Sequence, residues 1–198
     1  MKFTTILNII FMSDFIEYCN SISHLSNDAV NDLQSSLKTK HFKNGEVINR
    51  EGQICRYLFF IEQGLVKHYY YHKDKVFILR FFSEGNLFTV LESFFIQTPS
   101  NLITVALEDT TVSCLHYKDM EELCKKHHSF ETFFRKFLSS GVVYMVKRTK
   151  EMLETNTTEL YNNFAKENSK LMQRISLGDV ASYLGVSQVS ISRIRSKK

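Results

Sequence analysis

The stretch Ser176-Leu-Gly-Asp-Val-Ala-Ser-Tyr-Leu-Gly-Val-Ser-Gln-Val-Ser-Ile-Ser-Arg-Ile-Arg195 reads as a helix, a four-residue turn and a second helix. Val180 and Leu184 supply the inner face of the first helix, Val186 fills the turn, and Ile191 and Ile194 supply the inner face of the second. Ala181 falls where the two helices approach most closely, and Gly185 falls at the tight turn, where a positive φ is easy only for glycine. An ordinary helical hairpin explains the apolar spacing. It does not explain the conjunction of Ala181, Gly185 and a second helix whose outer face holds polar and basic groups. That conjunction is the pattern of a helix-turn-helix that enters DNA. Ser187 is then the N-cap, and Gln188, Val189, Ser190, Ser192 and Arg193 face the major groove. There Gln reads adenine, Arg reads guanine and Val meets a thymine methyl. Arg195, Lys197 and Lys198 neutralise phosphates, which adds affinity and salt dependence without sequence information.

The charge distribution supports this reading. The formal charge of the 198-residue chain is only +4, but residues 147–198 carry 10 Lys/Arg against 5 Asp/Glu, whereas residues 1–146 carry 15 against 16. The basic excess therefore lies in the last quarter. With 43% hydrophobic and 23% charged residues, the chain can bury a real core in one or two domains; disordered, collagenous and disulfide-stapled classes are excluded. One proline and seven glycines leave little room for a flexible linker. Cys19, Cys55, Cys114 and Cys124 are too scattered for a shared metal, and a reduced cytoplasmic setting is expected. Met1 to Met12 is apolar, but it lacks a small-x-small cleavage site and runs into Asp14 and Glu17, so a packed helix is expected there rather than a signal peptide. No stretch has the length of a membrane span.

Upstream, three textures follow one another. From Phe3 to Leu37 the spacing of Phe11, Phe15, Tyr18, Val30, Leu33 and Leu37 predicts two short helices, the second starting near Ser26. From Phe42 to Tyr117, β-branched and aromatic runs are punctuated by Gly45, Gly52, Gly64 and Gly85. Strands are predicted at Glu46 to Asn49, Tyr57 to Glu62, Leu65 to Tyr71, Val76 to Phe82, Leu102 to Leu107 and Thr111 to His116, with hairpin turns at Glu62-Gln-Gly64 and His72-Lys-Asp74. A short helix from Met120 to Lys125 and a long one from Ser129 to about Thr155 come next. On the long helix Phe130, Phe134, Phe137, Gly141, Tyr144 and Arg148 form one stripe, and Phe133, Leu138, Val142, Met145, Met152 and Leu153 widen the apolar face. A core helix and a two-fold seam are both compatible with that periodicity, and Gly141 suggests a close helix crossing. The fold class is α+β: an antiparallel β-roll of jelly-roll type, a long helix and an all-α helix-turn-helix domain. The expected divisions are 1–128, 129–156 and 157–198.

This order of parts resembles the Crp/Fnr family of bacterial transcription regulators over nearly the full chain. The motifs are Phe42-Lys-Asn-Gly45-Glu-Val-Ile with Glu51-Gly52, Tyr57-Leu-Phe-Phe-Ile-Glu-Gln-Gly64-Leu-Val, Ala106-Leu-Glu-Asp109 and Ile175 to Lys198. The ending, with Ala181-Ser-Tyr-Leu-Gly185 and Ser192-Arg-Ile-Arg195, is similar to compact regulators of that family common in Bacteroidetes. The resemblance implies a cyclic-nucleotide-binding type of roll and a homodimer through the long helix, with Phe130, Phe134, Phe137, Gly141 and Tyr144 at the seam. It also implies double-stranded DNA with a two-fold operator, and RNA polymerase, as partners.

The departures from the family pattern are equally informative. Cyclic-nucleotide-binding members hold the ribose with the glutamate of a Gly-Glu pair and the phosphate with an arginine. Here the resemblance places Thr89 and Val90 at the Gly-Glu positions and Ser100, beside Asn101, at the arginine position. With no cation for the phosphate, cyclic AMP and cyclic GMP are expected not to bind. Iron-sulfur sensing lacks clustered N-terminal cysteines, and His68 or His72 would have to serve as a haem ligand, so no cofactor and no metal are expected. A small effector pocket would use Leu87, Thr89, Val90, Leu91, Ser100 and Asn101, although Leu87, Phe88, Leu91, Phe94 and Phe95 also suit a filled core. Many members carry an Arg-Glu pair where Gln188 and Val189 stand, so a different operator is expected. The rival class is a cupin-like metalloenzyme built on the same roll, with His68, His72, Glu62 and His116 as ligands; cupin ligand spacing is absent. Nucleophile-elbow, P-loop and dinucleotide motifs are absent too.

Overall fold

The computed structural model describes residues 14–196; Phe3 to Met12 and the phosphate-contact candidates Lys197 and Lys198 lie outside them. Helix α1 covers 14–22 and α2 covers Asn27–Ser36, the latter capped by Ser26, whose hydroxyl accepts from the Ala29 amide. Eight strands follow: β1 Lys38–Phe42, β2 Val47–Asn49, β3 Tyr57–Gln63, β4 Val66–His72, β5 Lys75–Phe82, β6 Leu87–Phe88, β7 Ile103–Ala106 and β8 Thr110–His116. The short helix α3, Leu91–Ile96, interrupts them between β6 and β7. Then come α4 Tyr117–Lys126, α5 His128–Glu154, α6 Thr157–Glu167, a single 3-10 turn at Leu171–Gln173, α7 Leu177–Leu184 and α8 Gln188–Ser196.

The strands form two antiparallel sheets facing each other, ordered β1-β8-β3-β6 and β2-β7-β4-β5. Period-two alternation divides their side chains among three cores. Leu58 and Phe60 of β3 leave the roll to meet Phe15, Leu33, Phe130 and Phe133 of the helices, with Phe15 stacked on Phe60 at 5.1 Å. Phe59 and Ile61 point between the sheets, where Val66, Phe82, Phe88 and Val112 fill the interior. On the outer face of the second sheet, Leu65, Ile78 and Phe81 are buried under Leu160, Tyr161, Phe164, Val180 and Leu184 of the C-terminal helices. Thus α6 to α8 share a core with the roll instead of hanging from it.

Two sequence expectations change here. Strands β1 and β6 were not anticipated: Lys-Thr-Lys-His-Phe is a polar edge strand, and β6 has two residues. The segment after β3 is not a hairpin, because β3 and β4 belong to different sheets, so Glu62-Gln-Gly64 is a corner between them. The β4–β5 connection is a true hairpin, with Lys73 and Asp74 both at positive φ, as a two-residue turn of matching twist requires.

Gly64 takes φ +110°, and a Cβ placed on it would stand 2.7 Å from Thr110 Cα. The corner therefore needs glycine for backbone conformation and for space. Gly64→Ala should lower stability by about 3 kcal/mol, the sum of strain and overpacking at a rigid neighbour, measured by urea unfolding.

Candidate nucleic-acid interface

Helix α7 begins at Ser176, whose hydroxyl accepts from the Asp179 amide at 3.0 Å and donates to the Asp179 carboxylate at 2.8 Å. It ends at Gly185, which at φ +70° lets the Val186 amide return to the Ala181 carbonyl at 3.0 Å. After the three residues 185–187, α8 starts, with the Ser187 hydroxyl accepting from the Ser190 amide. Val180, Ala181, Leu184 and Ile191 are buried, and Val186 and Ile194 are half-buried against the same core. The inner positions read from the sequence are therefore the ones that hold the two helices together.

The other side of α8 is open. Ser187, Gln188, Val189, Ser192, Arg193 and Arg195 are exposed and Ser190 is half-buried, while α8 contains no acidic residue. The one carboxylate of α7, Asp179, is engaged by Ser176 and by Lys67 of β4 at 2.6 Å. The exposed face therefore offers amide, hydroxyl, methyl and guanidinium groups without a competing anion, which suits base edges and phosphates.

Helix α5 divides its apolar residues between two faces. Phe130 and Phe134 are buried in the chain's own core and Phe137 packs against it, so this part of the expected seam is internal. Among the described residues nothing within 4 Å would meet a Cβ on Gly141, so none of them makes a close helix crossing there. Tyr144 lies under the Arg80 guanidinium, with its hydroxyl 3.2 Å from that of Tyr183, and Arg148 donates to the Tyr183 carbonyl at 3.0 Å. The apolar face that the described residues leave uncovered is a neighbouring stripe. It includes Val142, Met145, Val146 at 64% exposure and Leu153 at 81%. Together with Thr149, Lys150 and Glu154 these residues line a groove of about 570 Å³. The sequence showed this second face as surplus apolar positions; only the packing shows which face is free.

The pocket positions inside the roll are occupied by the chain itself. Thr89 donates to the Tyr57 carbonyl at 2.9 Å, and its own carbonyl lies 3.3 Å from His68 Nε2. His68 Nδ1 stands 2.8 Å from the Thr104 hydroxyl, and the ring meets Phe82 and Phe88 edge-on. Nε2 therefore carries the proton toward the Thr89 carbonyl, and Nδ1 accepts from Thr104. Val90 is buried in the interior, whereas Leu87 and Phe94 are buried on the helix side. Ser100 is buried with its hydroxyl accepting from the Leu102 amide, and Leu91, Phe95 and Asn101 are exposed. The six pocket candidates thus do not converge on one cavity. His68 is buried, at 5% exposure. Its alternation with Val66 on the inner face of β4 was the available signal.

The four metal-ligand candidates are also dispersed. Glu62 accepts from Ser113, His72 leans on Phe77 and His116 caps α4. Among the described residues no three His, Cys, Asp or Glu side chains are placed to hold a metal, and no helix is long and apolar enough to cross a membrane.

Comparison with known proteins places the roll in a class. Residues 39–127 match the family model of the cyclic nucleotide-binding domain. No curated protein sequence matches the chain. Solved structures extend the likeness to the C-terminal helices. A protein from Eubacterium rectale ATCC 33656, described as a transcriptional regulator of the crp/fnr family, is 15% identical at a TM-score of 0.69, over 86% of this chain and 82% of its own. FixK2 from Bradyrhizobium japonicum is 18% identical at 0.64, over 81% and 83%. The c-di-GMP-responsive global regulator CLP of Xanthomonas campestris is 15% identical at 0.65, over 87% and 91%. At such identities the likeness is one of fold.

Burial pushes the His68 imidazole down from 6.5 to about 4. Between these values the unfolded chain takes up a proton that the folded chain refuses. The contribution of neutral His68 is thus complete above pH 6.5 and declines as the pH falls toward 4. Glu62 slopes the other way: burial raises its carboxyl to about 7, so its contribution is complete below pH 4.5 and declines as the pH rises toward 7. Comparing wild type with His68→Gln cancels the Glu62 effect. Between about pH 7 and pH 4.5 the wild type should lose up to about 3 kcal/mol relative to the variant, measured by urea unfolding at each pH.

Proposed function

We propose that the protein is a sequence-specific, DNA-binding transcription regulator of the Crp/Fnr type that acts as a homodimer on a two-fold operator. The observation that carries this reading is the exposed face of α8. Gln188, Val189, Ser192 and Arg193 stand clear of the fold, without an acidic neighbour on α8, on a helix whose opposite side is fixed by Ile191. Helix α5 joins the roll to the terminal helices, and its free stripe pairs with its twin. Pairing would remove from water an apolar surface that includes Val142, Met145, Val146 and Leu153. The interior of the roll supports a regulator that does not respond to cyclic AMP or cyclic GMP. Thr89 donates to the Tyr57 carbonyl and Ser100 accepts from the Leu102 amide, and neither neutral hydroxyl can compensate a phosphate charge.

Selection from random duplexes should yield a two-fold motif. Arg193→Ala should weaken binding to it by about 1 to 3 kcal/mol and relax the preference at one base of each half-site; unchanged affinity and footprint would refute the assignment. Val146→Asp should shift the protein from dimer to monomer in sedimentation while leaving its circular dichroism spectrum intact. A variant that stays dimeric would move the seam elsewhere.

A further inference from the structure

Helix α7 is held at both ends by parts of the molecule outside α8. At its start, Asp179 meets Lys67 of β4 at 2.6 Å, with side chains only 19% and 16% exposed. One turn later, Tyr183 rests on Phe81 of β5, accepts Arg148 at its carbonyl and meets Tyr144 at its hydroxyl. The segment that leads into α7 is pinned as well. Arg174 makes two hydrogen bonds to Glu84 and two to Glu108, at 2.6 to 2.9 Å, and so bridges two turns of the roll. Glu84 is further fixed by the Gly64 amide at 2.8 Å. Beneath these ion pairs lies the shared apolar core of Leu65, Ile78, Phe81, Val180 and Leu184.

From this geometry we infer that Lys67, Glu84 and Glu108 of the roll are positioning residues for DNA binding. They fix the angle between α8 and α5, and thereby set the distance between the two recognition helices of a dimer. The inference rests on the DNA-binding reading above and adds that the presentation of α8 is built into the resting fold. Two features favour presentation over concealment. The ion pairs lie on the α7 side of the unit, and the residues of α8 that would meet bases remain exposed while the lock is closed. The Lys67–Asp179 pair is partly desolvated and is screened by salt far less than a surface pair, so this contact holds under the conditions in which phosphate contacts weaken.

The test uses the full chain and the selected operator. Companion duplexes have the half-sites moved apart by about one or two base pairs, and one duplex has a single half-site. Lys67→Met, and separately Glu84→Gln with Glu108→Gln, open the lock without touching α8; Lys67→Arg keeps the charge. Wild type and Lys67→Arg should prefer the native spacing by about tenfold or more, because only the aligned fraction binds both half-sites. The two opened variants should bind the native spacing about tenfold more weakly and lose the spacing preference, with single half-site affinity unchanged. Retention of the full spacing preference by both opened variants would overturn the inference, and so would tighter binding than wild type, which would make the docked state an obstacle. Two independent variants guard against one that does not fold, as checked by thermal melting. A wild-type protein that selects no motif refutes the DNA-binding reading itself, whereas a wild type that selects one while the opened variants keep its spacing refutes only the lock.

Discussion

One extra residue in β5 determines how the C-terminal helices meet the roll. In a regular strand, residues three apart point to opposite faces, yet Ile78 and Phe81 are both buried under α7. The register with β4 shifts between His68, opposite Arg80, and Tyr69, opposite Ile78, leaving Leu79 without a partner. This bulge returns Phe81 to the outer face and sends Phe82 inward against Phe88. Without it, an outward Ile78 would turn Phe81 inward and Phe82 outward, each to the wrong core. The outer face of the second sheet is thereby an apolar floor wide enough for three helices. The ion pairs at its edge orient a contact that burial has already made favourable.

The same strand pair explains the inside of the roll. With Phe59, Phe82 and Phe88 stacked in series, the space between the sheets holds ring carbon, and the polar groups that enter it, His68, Thr89 and Thr104, satisfy one another and the backbone. A buried imidazole with both nitrogens engaged is stable only when neutral, in agreement with its lowered pKa. A ligand entering here would have to replace aromatic packing and break this hydrogen-bonded string.

The sequence was most informative where structure is local. Helices α7 and α8 were legible because Val180, Leu184, Ile191 and Gly185 lie within a dozen residues and encode a single geometry. Long-range facts were less legible. The turn at Gly64 gives no sign of whether the following strand rejoins its own sheet or crosses to the other, since both need a positive φ. On α5 the phenylalanines dominate the apolar pattern, but they belong to the internal core, and the free stripe is built from smaller side chains that periodicity alone ranks lower. The candidate DNA-contact positions were readable by residue; the ion pairs behind them were not, because Lys67 and Asp179 are 112 positions apart.

The pairing of β1 with β8 has a consequence for the order of assembly. Lys38–Phe42 lies antiparallel to Thr110–His116, so the first sheet cannot close until residue 116 has been synthesised. Such a non-local closure is slow compared with helix formation. The last helices emerge after it, and their core is incomplete without Leu65, Ile78 and Phe81. The terminal unit therefore has no finished interior of its own, and a nascent chain gains its exposed α8 surface only after the roll beneath it has formed.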